Sequence, residues 1–389
     1  GVRLVGSEMC IRDREKWAQI STKDKIDYLK KINQKLKCSS RISNWAASLR
    51  YNKIETFFMD SNDSHIRQRI SYLLPQVLVS AEYKKQTQTR TFGGHAHARQ
   101  IGYDFLDDIS FAEKSSNLAE EAIELSRAPD CPNKKTKTLI SPDQMILQIH
   151  ESIGHPTELD RALGFEANYA GTSFIYPPEE VIGKLKLGPE FMQFVGNRTE
   201  FGGCATTGWD DEGVPAESWP IIKDGIFVDY QTTRDQVSLI SDYTGIERSH
   251  GCAYGQDWES MPFQRMPNVS MLPGEEGLTQ EDVIASTERG ILVEGRGSYS
   301  IDQQRYNIQF GGQVFWEIRN GRKYQMLRDL AYVGRTPEFW NSLDVVGGSS
   351  TYYLGASFGD AKGQPMQVNA VSHGCPIALF RNIDIINTA

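Results

Sequence analysis

Residues 150–155 read His-Glu-Ser-Ile-Gly-His, and this run constrains the fold more than any other part of the 389-residue chain. Two imidazoles and a carboxylate so close together supply what a zinc hydrolase uses: nitrogen ligands for the ion and a base for the attacking water. The common arrangement places the histidines four apart, one turn along one helix face. Here they stand five apart, which is roughly 140° around an ideal helix, so the two rings diverge. Both reach one ion only if the helix widens into a π-type turn or ends between them. The flanks favour such a break. Gly154 has high backbone freedom, while Pro156 disfavours the helical region at His155 and has no amide hydrogen to donate. The alternative is a buried helix with two incidental histidines and a solvated Glu151.

The start of this helix is also legible. Ser141-Pro142-Asp143 offers an N-cap, a proline at the first helical position and an acid in the first turn. Ile146, Leu147, Ile149 and Ile153 then supply apolar residues that pack the helix into a core, with His150 about two turns in.

Around this helix the chain divides by composition. Residues 23–37 read as an amphipathic helix, with Ile26, Leu29, Ile32 and Leu36 on one stripe and lysines opposite. Residues 41–60 and 66–93 have the alternating, β-branched and aromatic content of antiparallel strands. Residues 111–127 form a second helix stopped by Pro129, and 129–137, with Pro132 and three lysines, read as a linker. After the metal helix come short strands, glycines and turns through to Ala389. The expected class is α+β: a partial N-terminal α/β domain with linker over 15–137, then a mainly antiparallel β domain over 138–389 carrying the metal-binding helix. Residues 1–14 show neither period. Ser7 to Arg14 resembles translated sequencing-adaptor read-through, so this segment is expected to be non-native and the N-terminal domain truncated. No signal peptide can then be read from it.

Composition removes several classes. Fifty acidic residues against 42 basic ones give a net charge of −8, which is not a nucleic-acid footprint. No segment approaches ~20 uninterrupted apolar residues, so no membrane span is expected. The six cysteines include no CxxC pair and do not have the spacing of a disulfide framework, which points to a reducing cytoplasm.

His150-Glu151-Ser152-Ile153-Gly154-His155, followed by Glu158 and Asp160, resembles the signature of the TldD/PmbA family of metalloproteases. Further segments match that family in order: Asp211-Glu212-Gly213-Val214-Pro215, Gly225 before Ile226 to Tyr230, Arg248-Ser249, Arg265-Met266-Pro267-Asn268, and Pro273-Gly274. Near the end, Lys362-Gly363-Gln364-Pro365 and Ser372-His373-Gly374-Cys375-Pro376 resemble its closing segments. The resemblance covers residues from about 24 to 389. It implies a buried zinc centre reached through a narrow entry, short or unfolded peptides as substrates, and a dimer formed with itself or with a homologous metal-free subunit. His150 and His155 would be ligands and Glu151 the general base. In catalytic members a cysteine just before the Lys-Gly-Gln segment is the third ligand; here the register puts Asp360 there, with Cys375 the nearest thiol in sequence. Carboxylate for thiolate makes the site harder and shifts its preference away from zinc.

Other candidates carry weaker signals. His95 and His97 would share a face of a surface strand. His373 and Cys375 read as tight packing beside Gly374 and Pro376. Asp210-Asp211-Glu212 suits a tight loop at a cleft rim better than a cation site. Arg248 and Arg265 would either bind substrate carboxylate or carbonyl groups, or brace loops through buried ion pairs. Glu158 or Asp160 would orient a ligand imidazole. The expected function is therefore zinc-dependent peptide hydrolysis. Its rivals are an inactive pseudo-protease serving as a binding or assembly subunit, and a metal hydrolase acting on a non-peptide amide.

Overall fold

A computed structural model describes residues 17–61 and 63–389. The segment expected to be read-through lies outside the described residues. The N-terminal part contains helix α1 (Thr22–Leu36), strands β1 (Ile42–Met59), β2 (His65–Tyr83) and β3 (Gln86–Gly93), and helix α2 (Phe111–Leu125). The strands form an antiparallel sheet in the order β1-β2-β3, and both helices pack on it through Ile32, Leu36, Leu73, Val77, Phe111 and Leu118. Ser21 caps α1, its hydroxyl accepting from the Asp24 amide at 3.1 Å. The buried stripe is turned by one residue from the expected one. Ile26 is 46% exposed, while Lys25 is buried. The Lys25 ammonium donates to the carbonyls of Trp17 and Ile20 and lies 4.2 Å from the Trp17 ring centre, so its long stem covers apolar surface in place of Ile26.

The chain then enters β4 (Lys134–Ile140) and α3 (Pro142–Ile149). Lys134 to Lys137, expected as linker, are the first half of β4. Tertiary pairing overrides composition here: β4 lies between two strands, and Lys135 turns outward to pair with Asp384 at 3.2 Å. Three short strands follow, β5 (Phe194–Asn197), β6 (Ser218–Lys223) and β7 (Asn268–Met271), paired in the order β7-β5-β6.

Beyond three two-residue strands, the chain continues with β8 (Arg289–Ile301), β9 (Asn307–Arg319), β10 (Arg322–Leu327), β11 (Leu330–Arg335), β12 (Leu343–Val346), β13 (Tyr353–Lys362), β14 (Gln367–Cys375) and β15 (Ala378–Asn387). Pairings β8-β4, β4-β15, β15-β11, β11-β9 and β9-β8 close a ring, with β10 added to β9 and β12 to β15. Only β4-β8 in this sheet is parallel. The protein is thus α+β, with a mostly antiparallel C-terminal region. The β13-β14 hairpin stands apart from the ring, and α3 lies between it and β8. None of the described helices is long and apolar enough to cross a membrane. The described cysteines are all free.

Candidate metal centre

Helix α3 leaves the end of the central strand β4 and carries the His-Glu run into the interior. Pro142 occupies its first turn as expected. Ser141 stands at the N-cap without a side-chain cap bond, its hydroxyl turning instead to Asp143. Ile146, Leu147, Ile149 and Ile153 are buried in the main core.

The helix widens where the spacing required it. His150 to Gly154 form a π turn, and the His155 amide donates to the His150 carbonyl five residues back. That bond stacks the two histidines on one face, with ring centres 4.5 Å apart. A 3-10 turn from His155 to Thr157, with Pro156 inside it, ends the helix. Gln231 seals this end: its side-chain amide donates to the Gly154 carbonyl at 2.6 Å and to Thr157 Oγ1 at 2.8 Å.

The third group arrives from β13. Its register slips between Ser357 and Asp360 relative to β14, and Asp360 Oδ1 sits 3.7 Å from Nε2 of both His150 and His155. Gly355, Gly359 and Gly363 would suit a glycine-rich loop that bends to bring the carboxylate onto an ion, but the structure holds a strand here instead. Gly355 and Gly359 belong to the strand itself, and a bulge delivers the carboxylate. Cys375 is elsewhere: its sulfur contacts the Pro142 carbonyl at 3.6 Å, at the opposite end of α3 from His150. Burial pushes that thiol well above its ordinary range.

The hydrogen bonds fix which ring nitrogens are free. His373 Nδ1 meets the Val269 carbonyl at 2.9 Å, and a carbonyl only accepts, so His373 donates there. Its Nε2 then accepts from His150 Nδ1 at 2.8 Å, which leaves the lone pair of His150 on Nε2. On the other side, His155 Nδ1 donates to Glu158 Oε2 at 2.8 Å, so its lone pair is also on Nε2. Arg161 Nη2 lies 3.1 Å from that Nδ1, but its Nε serves the same carboxylate at 2.9 Å. Burial, with His373 beside one ring and Arg161 beside the other, holds both imidazoles well below their ordinary pKa and therefore neutral.

The residues fit a divalent ion. Neither Nε2 has a hydrogen bond among the described residues, and the three candidate ligand atoms all lie within 4.8 Å of one another. The 3.7 Å spacings to Asp360 are too long for hydrogen bonds. They are close to the ~3.3 Å edge of a tetrahedron with bonds of about 2.05 Å. A supporting layer holds the set. Asp360 Oδ2 accepts from Arg265 at 3.2 Å. Lys362 donates to Glu158 at 3.0 Å and Asp160 at 2.8 Å. Burial alone would raise the Glu158 carboxyl, but Lys362 and Arg161 outweigh it and keep the group ionised.

Glu151 points into the same cleft, which has a volume of about 220 Å³. Its Oε2 is buried without a hydrogen bond, 3.6 Å from Arg305 Nε. Burial raises its pKa, Arg305 opposes this and Asp360 adds to it, which moves the carboxylate towards the range useful to a base near neutrality.

The structure does not place Arg248 and Arg265 for substrate binding. Arg265 is fully buried, with its guanidinium bonded to Asp360 and Asn369. Arg248 pairs with Glu217, which also receives His250 Nδ1 at 2.6 Å. Arg265 ties β13 to β14, Arg248 forms an exposed ion pair, and neither lines the cleft. Asp210 likewise builds its loop by accepting from the amides of Glu212, Val214 and Ala253. His97 lies in a 3-10 turn, its ring against Phe92 and Tyr353 instead of on a surface strand.

Arg296, Tyr299 and Arg305 line the cleft and carry no sequence signal of their own. Arg305 adopts φ +65° in the turn between β8 and β9, a conformation costing on the order of 1 kcal/mol for a residue with a side chain. Asp302 holds the turn by accepting from the Tyr306 and Asn307 amides.

Family models match most of the chain. The model described as PmbA/TldA metallopeptidase C-terminal domain matches residues 133–387, and that described as the PmbA/TldA metallopeptidase central domain matches 15–128. "Metalloprotease MJ0996" of Methanocaldococcus jannaschii is 24% identical over 69% of this chain and 55% of its own length. "Metalloprotease TldD homolog" of Buchnera aphidicola is 25% identical over 95% of this chain and 73% of its own. "Zinc metalloprotease TldD homolog" of Saccharolobus solfataricus is 24% identical over 69% and 56%. The chain therefore spans little more than half the length of the two archaeal relatives. Among solved structures, TldE from Thermococcus kodakarensis shares the fold with a TM-score of 0.66 at 15% identity, covering 92% of this chain and 74% of that one.

Proposed function

This chain belongs to the PmbA/TldA metallopeptidase family, and on that premise we propose that it is a zinc-dependent peptidase acting on short or unfolded peptides. One observation carries the reading: His150 Nε2, His155 Nε2 and an Asp360 oxygen converge beside a buried, unpartnered Glu151 oxygen. His150, His155 and Asp360 would hold the ion. When bound, zinc supplies Lewis acidity towards the substrate carbonyl and favours a nucleophilic water at neutral pH.

The chain's own residues do the rest. Glu151 accepts a proton from water as the water oxygen bonds to the scissile carbonyl carbon. It then gives that proton to the amide nitrogen as the C–N bond breaks, so that a carboxylic acid and an amine leave, the acid passing its remaining proton to the amine. His373 and Glu158 hold the two imidazoles in the tautomer that presents Nε2. A cleft of about 220 Å³ suits part of a short or unfolded peptide better than folded protein. A dimer, with a second copy or with a homologous metal-free subunit, and a cytoplasmic location belong to the same proposal.

The test is hydrolysis of a peptide panel by the zinc-loaded protein, with non-peptide amides alongside. Chelator-sensitive peptide cleavage is expected. A protein that binds zinc stoichiometrically yet cleaves no peptide would favour the assembly-subunit reading, and cleavage of the amides alone would move the substrate class.

A further inference from the structure

The cleft wall opposite Glu151 is cationic, and two features of the chain make it so. In a regular strand Arg296 and Tyr299, three residues apart, would point to opposite faces. Strand β8 instead carries a bulge: Arg296 pairs with Gly312 and Tyr299 with Phe310, so three steps on β8 meet two on β9. Both side chains consequently line the cleft. Gly297 permits this, because a Cβ there would lie 2.6 Å from the Gly311 carbonyl carbon. Arg305 reaches the same wall from its left-handed turn position, pinned by Thr336 Oγ1 donating to its carbonyl at 2.6 Å.

These guanidiniums are poorly matched inside the protein. Arg296 has no side-chain hydrogen bond and no ion-pair partner among the described residues, although it lines an interior cleft. Arg305 Nη1 and Nη2 make only long bonds, to the Asp302 carbonyl at 3.3 Å and the Ala170 carbonyl at 3.4 Å, while its Nε is buried without a hydrogen bond and faces Glu151 at 3.6 Å. Charge points the same way. Arg296 and Arg305 balance Glu151 and Asp360, so a divalent ion leaves the occupied cleft with a net positive charge. Behind it, Arg161 and Lys362 pair with Glu158 and Asp160, while Arg265 adds a further positive charge against Asp360 itself. A peptide entering with neutral groups alone would leave the Arg296 guanidinium desolvated and unpaired, which is costly.

We propose that Arg296 and Arg305 form a carboxylate-recognition subsite, so that the preferred peptide carries a carboxylate beside the scissile bond. The proposal rests on the peptidase reading above. The shared chemistry is a carboxylate held by forked N–H donors. It is either the C-terminal α-carboxylate of a short peptide or an Asp or Glu side chain next to the cleaved bond.

Binding separates this inference from turnover. Fluorescein-labelled tetrapeptides in three forms, with a free C-terminal carboxylate, with a C-terminal amide, and as the amide with one Asn changed to Asp, are titrated into the Glu151→Gln protein, zinc-loaded and zinc-free. Anisotropy is expected to show at least one carboxylate form binding about tenfold more tightly than the plain amide. Preference for the free terminus assigns the subsite to chain ends, and preference for the Asp peptide assigns it to side chains. Arg296→Gln and Arg305→Gln should each bring the ratio towards one, with the Lys replacements intermediate because they keep charge but lose the fork. Equal affinity for all three peptides overturns the proposal, and this comparison requires no arginine variant to fold. Chelator-sensitive cleavage by the unsubstituted protein without carboxylate preference would sink the subsite alone. Carboxylate-selective binding without cleavage would sink the peptidase reading and leave the subsite standing.

Discussion

Glu151 lies within the helix that carries both candidate ligands, but its carboxylate bonds to neither ring, so replacing it should separate chemistry from metal retention. Glu151→Gln is expected to keep zinc and to lose about 10²–10⁴ in turnover, read by metal analysis beside a peptide-cleavage assay. Unchanged turnover would remove Glu151 from the mechanism. Asp360 gives the complementary case. Asp360→Ala should sharply reduce metal occupancy, because two neutral imidazoles alone hold zinc weakly, while Cys375→Ser, at the far end of α3, should leave it intact. The reverse pattern would mean that the ligand set is two histidines and a thiolate. At this scale the residues local to the His-Glu run were legible, since their spacing itself states a geometric demand. Arg296 and Arg305 were not. Whether a strand arginine faces a cleft depends on a bulge and on pairing with a distant strand, and neither leaves a local mark.

Two elements build the centre, and both work by departing from regular geometry. The π turn was readable because five-residue spacing, Gly154 and Pro156 all required a break at one place. The β13 bulge was not, because Gly355, Gly359 and Gly363 read equally well as a loop. The strand's glycines now carry different weights. A Cβ on Gly355 would fall 1.9 Å from Ile146 Cδ1, so Gly355→Ala should wedge β13 away from α3. The expected cost is about 1–3 kcal/mol in thermal or denaturant unfolding, accompanied by weaker metal binding. Nothing lies within 4 Å of the corresponding position at Gly359, so Gly359→Ala should leave stability unchanged. Equal effects from the two substitutions would show that close packing of β13 on α3 does not set the site.

For the whole molecule, acid is the natural perturbation. His373 is fully buried, and desolvation drops its pKa to about 4, while the unfolded chain takes up that proton near the ordinary value of about 6.5. Between those limits the unfolded state binds more protons, so stability falls as pH falls. Buried Glu151 and Asp160, whose pKa values are raised by desolvation, act with the opposite sign above their ordinary carboxylate values. His250 stabilises below about 6.5 and loses that contribution as pH rises through its raised folded value. The informative quantity is therefore a difference. In metal-free protein, His373→Gln should flatten the fall in stability between about pH 6.5 and 4 by up to about 1.4 kcal/mol per pH unit. Parallel pH profiles for parent and variant would contradict a neutral, buried His373. The α+β class, with a mostly antiparallel C-terminal region, was largely visible in the strand and helix periods, whereas closure of that sheet was not. The role of β4 was hidden because lysines resemble linker composition until their long-range partners are known. That role has a temporal side. Strand β4 carries the helix with the His-Glu run, yet it is secured by β15, which lies far along the chain from it. A growing polypeptide emerges from its N-terminus, so the His-Glu run leaves the ribosome long before the strand that fixes its support. The cleft is accordingly assembled in two instalments, and its support is complete only once β15 has been made.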